Sequence, residues 1–173
     1  ALAAAAGVGH FEPVVETRAV GERIGADNAA RIVGDADVLV DGCDNFATRL
    51  AVSDACVQLG IPLTSAAIGR FQGQVASFAG HLPGVSCYRC FVGDAFDAED
   101  CDTCAADGVL GAMVGMVGAF AAMQAIRVLL HRHAALGDDP QWGRLHLLEG
   151  LVPSLRTMRI AKDPECRGCS AAA

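Results

Sequence analysis

Three C-x2-C pairs, Cys87/Cys90, Cys101/Cys104 and Cys166/Cys169, constrain this chain more than any other feature. Two residues between cysteines let both sulfurs converge on one metal ion, and two such pairs complete a tetrahedral Zn²⁺ site with bonds of about 2.3 Å. Four of these cysteines can therefore dictate which distant segments meet. One choice is local: Cys87, Cys90, Cys101 and Cys104 in the spacing C-x2-C-x10-C-x2-C. The other joins Cys87/Cys90 to Cys166/Cys169 across 75 intervening residues. Electrostatics favours the second. Asp94, Asp97, Glu99, Asp100, Asp102 and Asp107 surround Cys101 and Cys104, and carboxylates oppose thiolate formation. CYRC and ECRGC each place an arginine inside the motif, where it offsets the −2 charge of a zinc tetrathiolate. Such a site is closed and structural. Cys104 is then a free thiol just before a helix, a nucleophile or sulfur carrier on one reading and a bystander on the other.

Paired cysteines of this kind belong to a reducing compartment, and the first residues carry neither a charged n-region nor a cleavage site. A cytoplasmic location is expected. The remaining composition excludes more than it identifies. With 53% hydrophobic residues and a mean hydropathy of +0.37, the chain is not a disordered one. A net charge of −7 gives no electrostatic footprint for nucleic acid or an anionic membrane. Gly108 to Ile126 holds nineteen uncharged residues, but its glycines, alanines and Gln124 argue for a buried helix or a tight subunit contact rather than a membrane span.

Hydrophobic patterning predicts a strand at Phe11 to Val20, a short helix at Asp27 to Val33 capped by Asp27, and a strand at Ala36 to Asp41 buried on both faces. A turn and a helix follow, with apolar positions 46, 50, 52, 56, 57 and 59 on one side, stopped by Gly60 and Pro62. Pro62 to Ile68 reads as the next strand. The β-α-β-α-β order predicts an α/β fold with a Rossmann-like, doubly wound, mostly parallel sheet. Gln72 to Ala79 alternates as a half-exposed strand, a long helix runs to about His133, and Arg144 to Glu149 with Ser154 to Ala161 form an antiparallel pair at the C-terminal end. One domain over residues 1–173 is the simplest organisation.

Asp41-Gly42-Cys43-Asp44-Asn45 sits where a parallel strand delivers its carboxyl end to the crevice of an open α/β sheet, the usual ligand position. Asp44 suits Mg²⁺, and Asn45 suits a ribose or phosphate. On pattern alone the better reading is a helix cap, with Asp44 or Asn45 satisfying the amides of the following helix. His131 and His133 read as a solvated helix end. No Gly-rich phosphate loop occurs among these residues.

The order DGCDN with Arg49 five residues after Asp44, SAAIGRFQGQVASF, CYRC, CDTCAADGVLGAMVGMVGAFAAMQAIR and PECRGC resembles the ThiF/MoeB/HesA family, relatives of the ubiquitin-activating enzymes, and most of all its molybdopterin-synthase adenylyltransferase branch. The resemblance implies a Rossmann-like, ATP-binding homodimer. It would adenylate the C-terminal Gly-Gly carboxylate of a ubiquitin-like sulfur carrier with ATP and Mg²⁺. By that likeness Asp44 and Asn45 match nucleotide and magnesium contacts, and Arg49 matches the arginine of the DNxxxR pattern. Cys87, Cys90, Cys166 and Cys169 match the zinc tetrad. Cys104 matches a thiol that takes part in sulfur transfer in some members. The family's Gly-rich loop, ribose-binding acid, catalytic lysine and N-terminal arginine finger match nothing here, and their places are expected upstream of Ala1. The chain is accordingly read as the C-terminal portion of such a domain, unable to transfer from ATP alone. The alternative is a catalytically silent, zinc-stapled module that holds a dimer or a carrier. A redox role for Cys101/Cys104 is disfavoured by the carboxylates around them.

Overall fold

The computed structural model describes residues 2–93, 108–132 and 141–170. Helices α1 (Leu2–Phe11) and α2 (Ala29–Val33) precede strand β1 (Leu39–Asp41), helix α3 (Phe46–Leu59) and strands β2 (Leu63–Ile68) and β3 (Gln72–Phe78). Helix α4 (Tyr88–Val92), the long helix α5 (Gly111–Arg132) and strands β4 (Arg144–Glu149) and β5 (Ser154–Arg159) follow.

The strands form one five-stranded sheet in the order β1-β2-β3-β4-β5. Among the described strands only β1 and β2 are parallel, joined through α3 because a parallel connection needs a crossover. The other three pairings are antiparallel. This corrects the expectation of a mostly parallel, doubly wound sheet. The β-α-β pattern that suggests it accounts for one junction, and the hairpins that follow supply the rest. The antiparallel C-terminal pair is present, with Arg144 opposite Arg159 and Glu149 opposite Ser154.

Other departures have local causes. Residues 12–20 hold no strand: α1 runs through Phe11, and Val14 and Val15 are exposed. β-Formers without a neighbouring strand to pack against have nothing to hold them extended. Asp27 does not cap α2, which starts one residue too late for it. Asn28 occupies the cap position without a capping bond, and its Oδ1 accepts from the Gly25 amide at 2.9 Å instead. β1 is shorter than expected and its Val40 is half-exposed, because it has a neighbour on one side only. β3, expected to be half-exposed, is buried from Val75 to Phe78, because helices cover both faces of it.

Those two covers are distinct cores. On one face, Leu63, Ala76, Phe78 and Leu145 pack against Leu50, Val52, Ala55 and Cys56 of α3 and Tyr88 of α4. On the other, Val75 and Leu148 pack against Met113, Val117 and Ala121 of α5. Val117 lies so close over Gly73 that a Cβ there would collide with its Cγ2. Glycine at that point of β3 lets the helix reach the sheet. Away from the sheet α5 exposes Met116, Met123, Ile126 and Leu130. By length and composition α5 could cross a membrane, although one face lies on the sheet.

Helix α3 positions the site, and its ends are well specified. Asn45 is the N-cap: its side chain accepts from the Thr48 amide at 2.9 Å, a contact worth about 1 kcal/mol. Gly60 closes the helix in the left-handed conformation at φ 70°, which glycine adopts without a Cβ clash. Burial extends beyond the apolar stripe to Thr48, Arg49 and Ser53, so α3 is sheathed on most sides.

Candidate functional site

The chain leaves β1 at Asp41 and enters α3 at Phe46, so Gly42 to Asn45 form a short loop at the carboxyl end of the parallel pair. Its two aspartates differ completely. Asp41 is buried, and both its oxygens are occupied. Oδ1 accepts from the Cys43 amide at 2.9 Å. Oδ2 accepts from Arg49 Nη1 at 3.1 Å and from Ser65 Oγ at 3.3 Å. Asp44 is exposed, has no hydrogen bond among the described residues, and lines a cavity of about 540 Å³. Val40, Ala67, Val109, Val114 and Gly118 line the same cavity, giving it a largely apolar wall with one carboxylate, Asp44, and one cation, Arg49, among its lining residues. A carboxylate with open coordination beside an apolar cleft suits a hard divalent cation shared with a bound anion.

Arg49 is buried with its side chain 7% exposed. Besides Asp41, Nη1 donates to Ser65 Oγ at 2.9 Å, and Nη2 donates to the carbonyls of Cys43 and Ala66, the latter at 2.7 Å. The guanidinium therefore joins the loop, β1 and β2. Asn45 spends its Oδ1 on the cap of α3. Cys43 borders the cavity, but burial, with Asp41 close by, pushes its thiol up to about 12, so it stays protonated at neutral pH.

About the far end of α3 the chain gathers four sulfurs. Cys87 starts α4 and Cys90 lies within it, while Cys166 and Cys169 come from the turns after β5. The four Sγ atoms all lie within 4.8 Å of one another, and all four cysteines are free thiols. Cys87 and Cys90 are 3.8 Å apart, Cys87 and Cys166 3.6 Å, and Cys90 and Cys169 3.5 Å. Tetrahedral thiolates at about 2.3 Å from zinc sit about 3.8 Å from each other, so the donor set fits that ion. Secondary contacts hold the arrangement. The Asp163 amide donates to Cys90 Sγ at 3.5 Å, and Lys162 Nζ donates to the Cys169 carbonyl at 3.2 Å. Cys90 is held below the ordinary thiol range: burial raises it, but hydrogen bonds from the Asp163 and Cys87 backbone and from the Cys169 and Cys166 thiols together outweigh that. Arg89, inside CYRC, makes a two-pronged bond to Asp54 of α3, both contacts at 2.8 Å. Its aliphatic stem lies over Gly168, where a Cβ would come 2.8 Å from Cδ.

The structure thus brings Asp44, Asn45 and Arg49 together, and gathers Cys87, Cys90, Cys166 and Cys169 separately. Cys101, Cys104 and His133 lie outside the described residues. Ser65 and Asp54 carry no signal in the sequence read by itself, and Asp41 is marked there only as the strand end that opens the DGCDN run.

A carboxylate-lined cleft at the end of a parallel pair, with a four-cysteine cluster at the other end of the intervening helix, defines an α/β domain with a cluster that could hold a metal ion. The chain belongs to the ThiF family, which it matches over residues 1–168. It is 36% identical over 164 residues to the sulfur carrier protein adenylyltransferase of Thermus thermophilus, covering 92% of this chain and 58% of that one. It is 35% identical over 169 residues to the SAMP-activating enzyme E1 of Haloferax volcanii, covering 98% and 60%. An adenylyltransferase and sulfurtransferase MOCS3 from Bos taurus is 36% identical over 170 residues, with 97% of this chain and 36% of that one covered. The chain therefore spans about three fifths or less of these relatives. Among solved structures, E. coli MccB with ATP superposes at a TM-score of 0.73 and 12% identity, covering 95% of this chain and 48% of the other, a likeness of fold.

Proposed function

We propose that these residues form the metal-binding and carrier-facing part of an adenylyltransferase that activates the C-terminal Gly-Gly carboxylate of a ubiquitin-like sulfur carrier, in the cytoplasm and without membrane or nucleic acid. The observation that carries this reading is Asp44, the exposed carboxylate that lines the cavity. In the reaction a carrier carboxylate oxygen bonds to the α-phosphorus of ATP, the bond from that phosphorus to the bridging oxygen breaks, and pyrophosphate leaves. Mg²⁺ on Asp44 would supply charge neutralisation for the phosphates. Asn45 borders the nucleotide, and Arg49 supports the loop that both occupy. The apolar wall excludes water that would compete for the activated carboxylate. Cys87, Cys90, Cys166 and Cys169 hold a structural Zn²⁺. Cys104 is retained as the candidate thiol for a later sulfur transfer.

No Gly-rich phosphate loop lies within these residues, so the 173-residue chain alone is expected to show no carrier-dependent ATP–pyrophosphate exchange. Fusing it behind the N-terminal part of the Thermus thermophilus relative should create that exchange. Asp44→Asn in the fusion should lower kcat by at least about a hundredfold, the scale of losing a metal-held charge in the transition state. A folded fusion without exchange would leave the zinc-stapled, catalytically silent module as the better account.

A homodimer belongs to the same reading, supported by the exposed apolar side of α5. Sedimentation should show a dimer. Met123→Glu with Ile126→Glu should raise its dissociation constant at least about a hundredfold, because charged residues at an apolar contact are left desolvated and unpaired. An unchanged dimer would place the contact elsewhere.

A further inference from the structure

We propose that Asp41, Arg49 and Ser65 are positioning residues that fix the Gly42–Asn45 loop and so present the Asp44 carboxylate to the cavity. The inference rests on the reading of Asp44 as the metal ligand and assigns the two aspartates separate tasks. Cys43, at the middle of the loop, is held at both of its backbone groups: its amide donates to Asp41, and its carbonyl accepts from Arg49. Asn45 is held by the helix it caps. Asp44, between these two anchored residues, has no hydrogen bond among the described residues, so its direction is set by its neighbours.

The same guanidinium grips the opposite cavity wall. Nη2 bonds the carbonyl of Ala66, which lines the cavity, and Nη1 bonds Ser65 beside it. One rigid, planar group therefore sets the distance between the loop and β2. Lysine cannot reproduce this, because its donors radiate from one nitrogen rather than from a fork. Ion pairs this deeply buried contribute little net stability compared with apolar packing, and holding a particular geometry is the role they fill best. Asp41 cannot itself serve the cation, since every donor that makes it a clamp would have to be displaced.

The test uses the intact chain, with amide hydrogen exchange read residue by residue, and then the fusion described above. Arg49→Lys should speed exchange at Cys43 by about tenfold or more, the scale set by losing charge-assisted hydrogen bonds, with the β3 and β4 amides unchanged. Ser65→Ala should do the same more weakly, and Ser65→Thr, which keeps the hydroxyl, should restore the original rate. In the fusion, Arg49→Lys should raise the Mg²⁺ concentration for half-maximal pyrophosphate exchange several-fold while leaving KM for the carrier unchanged. The proposal is overturned if Cys43 exchange is unaltered in both Arg49→Lys and Ser65→Ala. It is also overturned if exchange accelerates equally across the sheet, or if the loop loosens without changing the Mg²⁺ requirement. A fusion inactive with all native residues, alongside the expected exchange pattern, would retire the adenylation reading and leave the loop clamp standing.

Discussion

Replacing Cys166 and Cys169 together by serine should strip the chain of zinc and abolish its cooperative unfolding, whereas replacing Cys101 and Cys104 should leave one zinc per chain. The asymmetry follows from where the sulfurs are. Cys87, Cys166 and Cys169 are buried in a cluster of their own, with Val57 and Cys90 as the partly buried hydrophobic residues packed against it. Without an ion, that cluster is a set of polarisable thiols closing a very long loop. With one, it ties the segment after β5 to α4, and through the Arg89–Asp54 bond to α3. Structural zinc binding contributes on the order of 10 kcal/mol at neutral pH, comparable to the whole net stability of a domain, roughly 5–15 kcal/mol. Zinc content by a chelator-release assay and thermal unfolding by circular dichroism read both parts. Because zinc takes thiolates, protons compete for the site, so affinity should fall as pH is lowered. Retention of zinc by the Cys166→Ser, Cys169→Ser protein, or its loss from the Cys101→Ser, Cys104→Ser protein, would move the site to the local spacing.

The long-range tetrad is the part of the site most legible in the sequence, because two kinds of information coincide there. Spacing permits two tetrads, and the carboxylates around Cys101 and Cys104 disfavour one of them. Helix α3 is also legible, since Asn45 and Gly60 are strong end signals on either side of it. Strand direction is not. A run such as Gln72 to Phe78 reads the same whichever neighbour it pairs with, and its burial depends on α5, whose approach is set by Gly73 and Val117. Residues 12–20 mislead for the related reason that β-propensity is realised only through a partner strand. The clamp is hidden most deeply. Asp41 and Arg49 are eight residues apart across a strand end and a helix turn, and Ser65 is on another strand altogether. A sequence marks Arg49 as a polar residue one turn into the helix after the Gly42–Asn45 loop; only the fold reveals that its guanidinium faces inward.

That inward placement sets the second large effect. Asp41→Asn and Arg49→Met should each destabilise the chain by about 3–5 kcal/mol in urea unfolding, because each leaves one buried charge without its partner. The Asp41 side chain is 1% exposed, so water cannot replace the lost donor or acceptor, and without Arg49 its Oδ2 keeps only the neutral Ser65 hydroxyl as a donor among the described residues. The double variant decides how the cost arises. If the charges matter chiefly to each other, removing both should cost less than the sum by about 1–3 kcal/mol, the coupling expected of contacting groups. Arg49→Met would then still lose its bonds to the Cys43 and Ala66 carbonyls, so the double variant should remain less stable than the unaltered chain. Strict additivity, with the double variant at the full sum, would mean that Arg49 contributes through those carbonyls alone. The ion pair would then be incidental to how the loop is held, since a neutral donor could replace it.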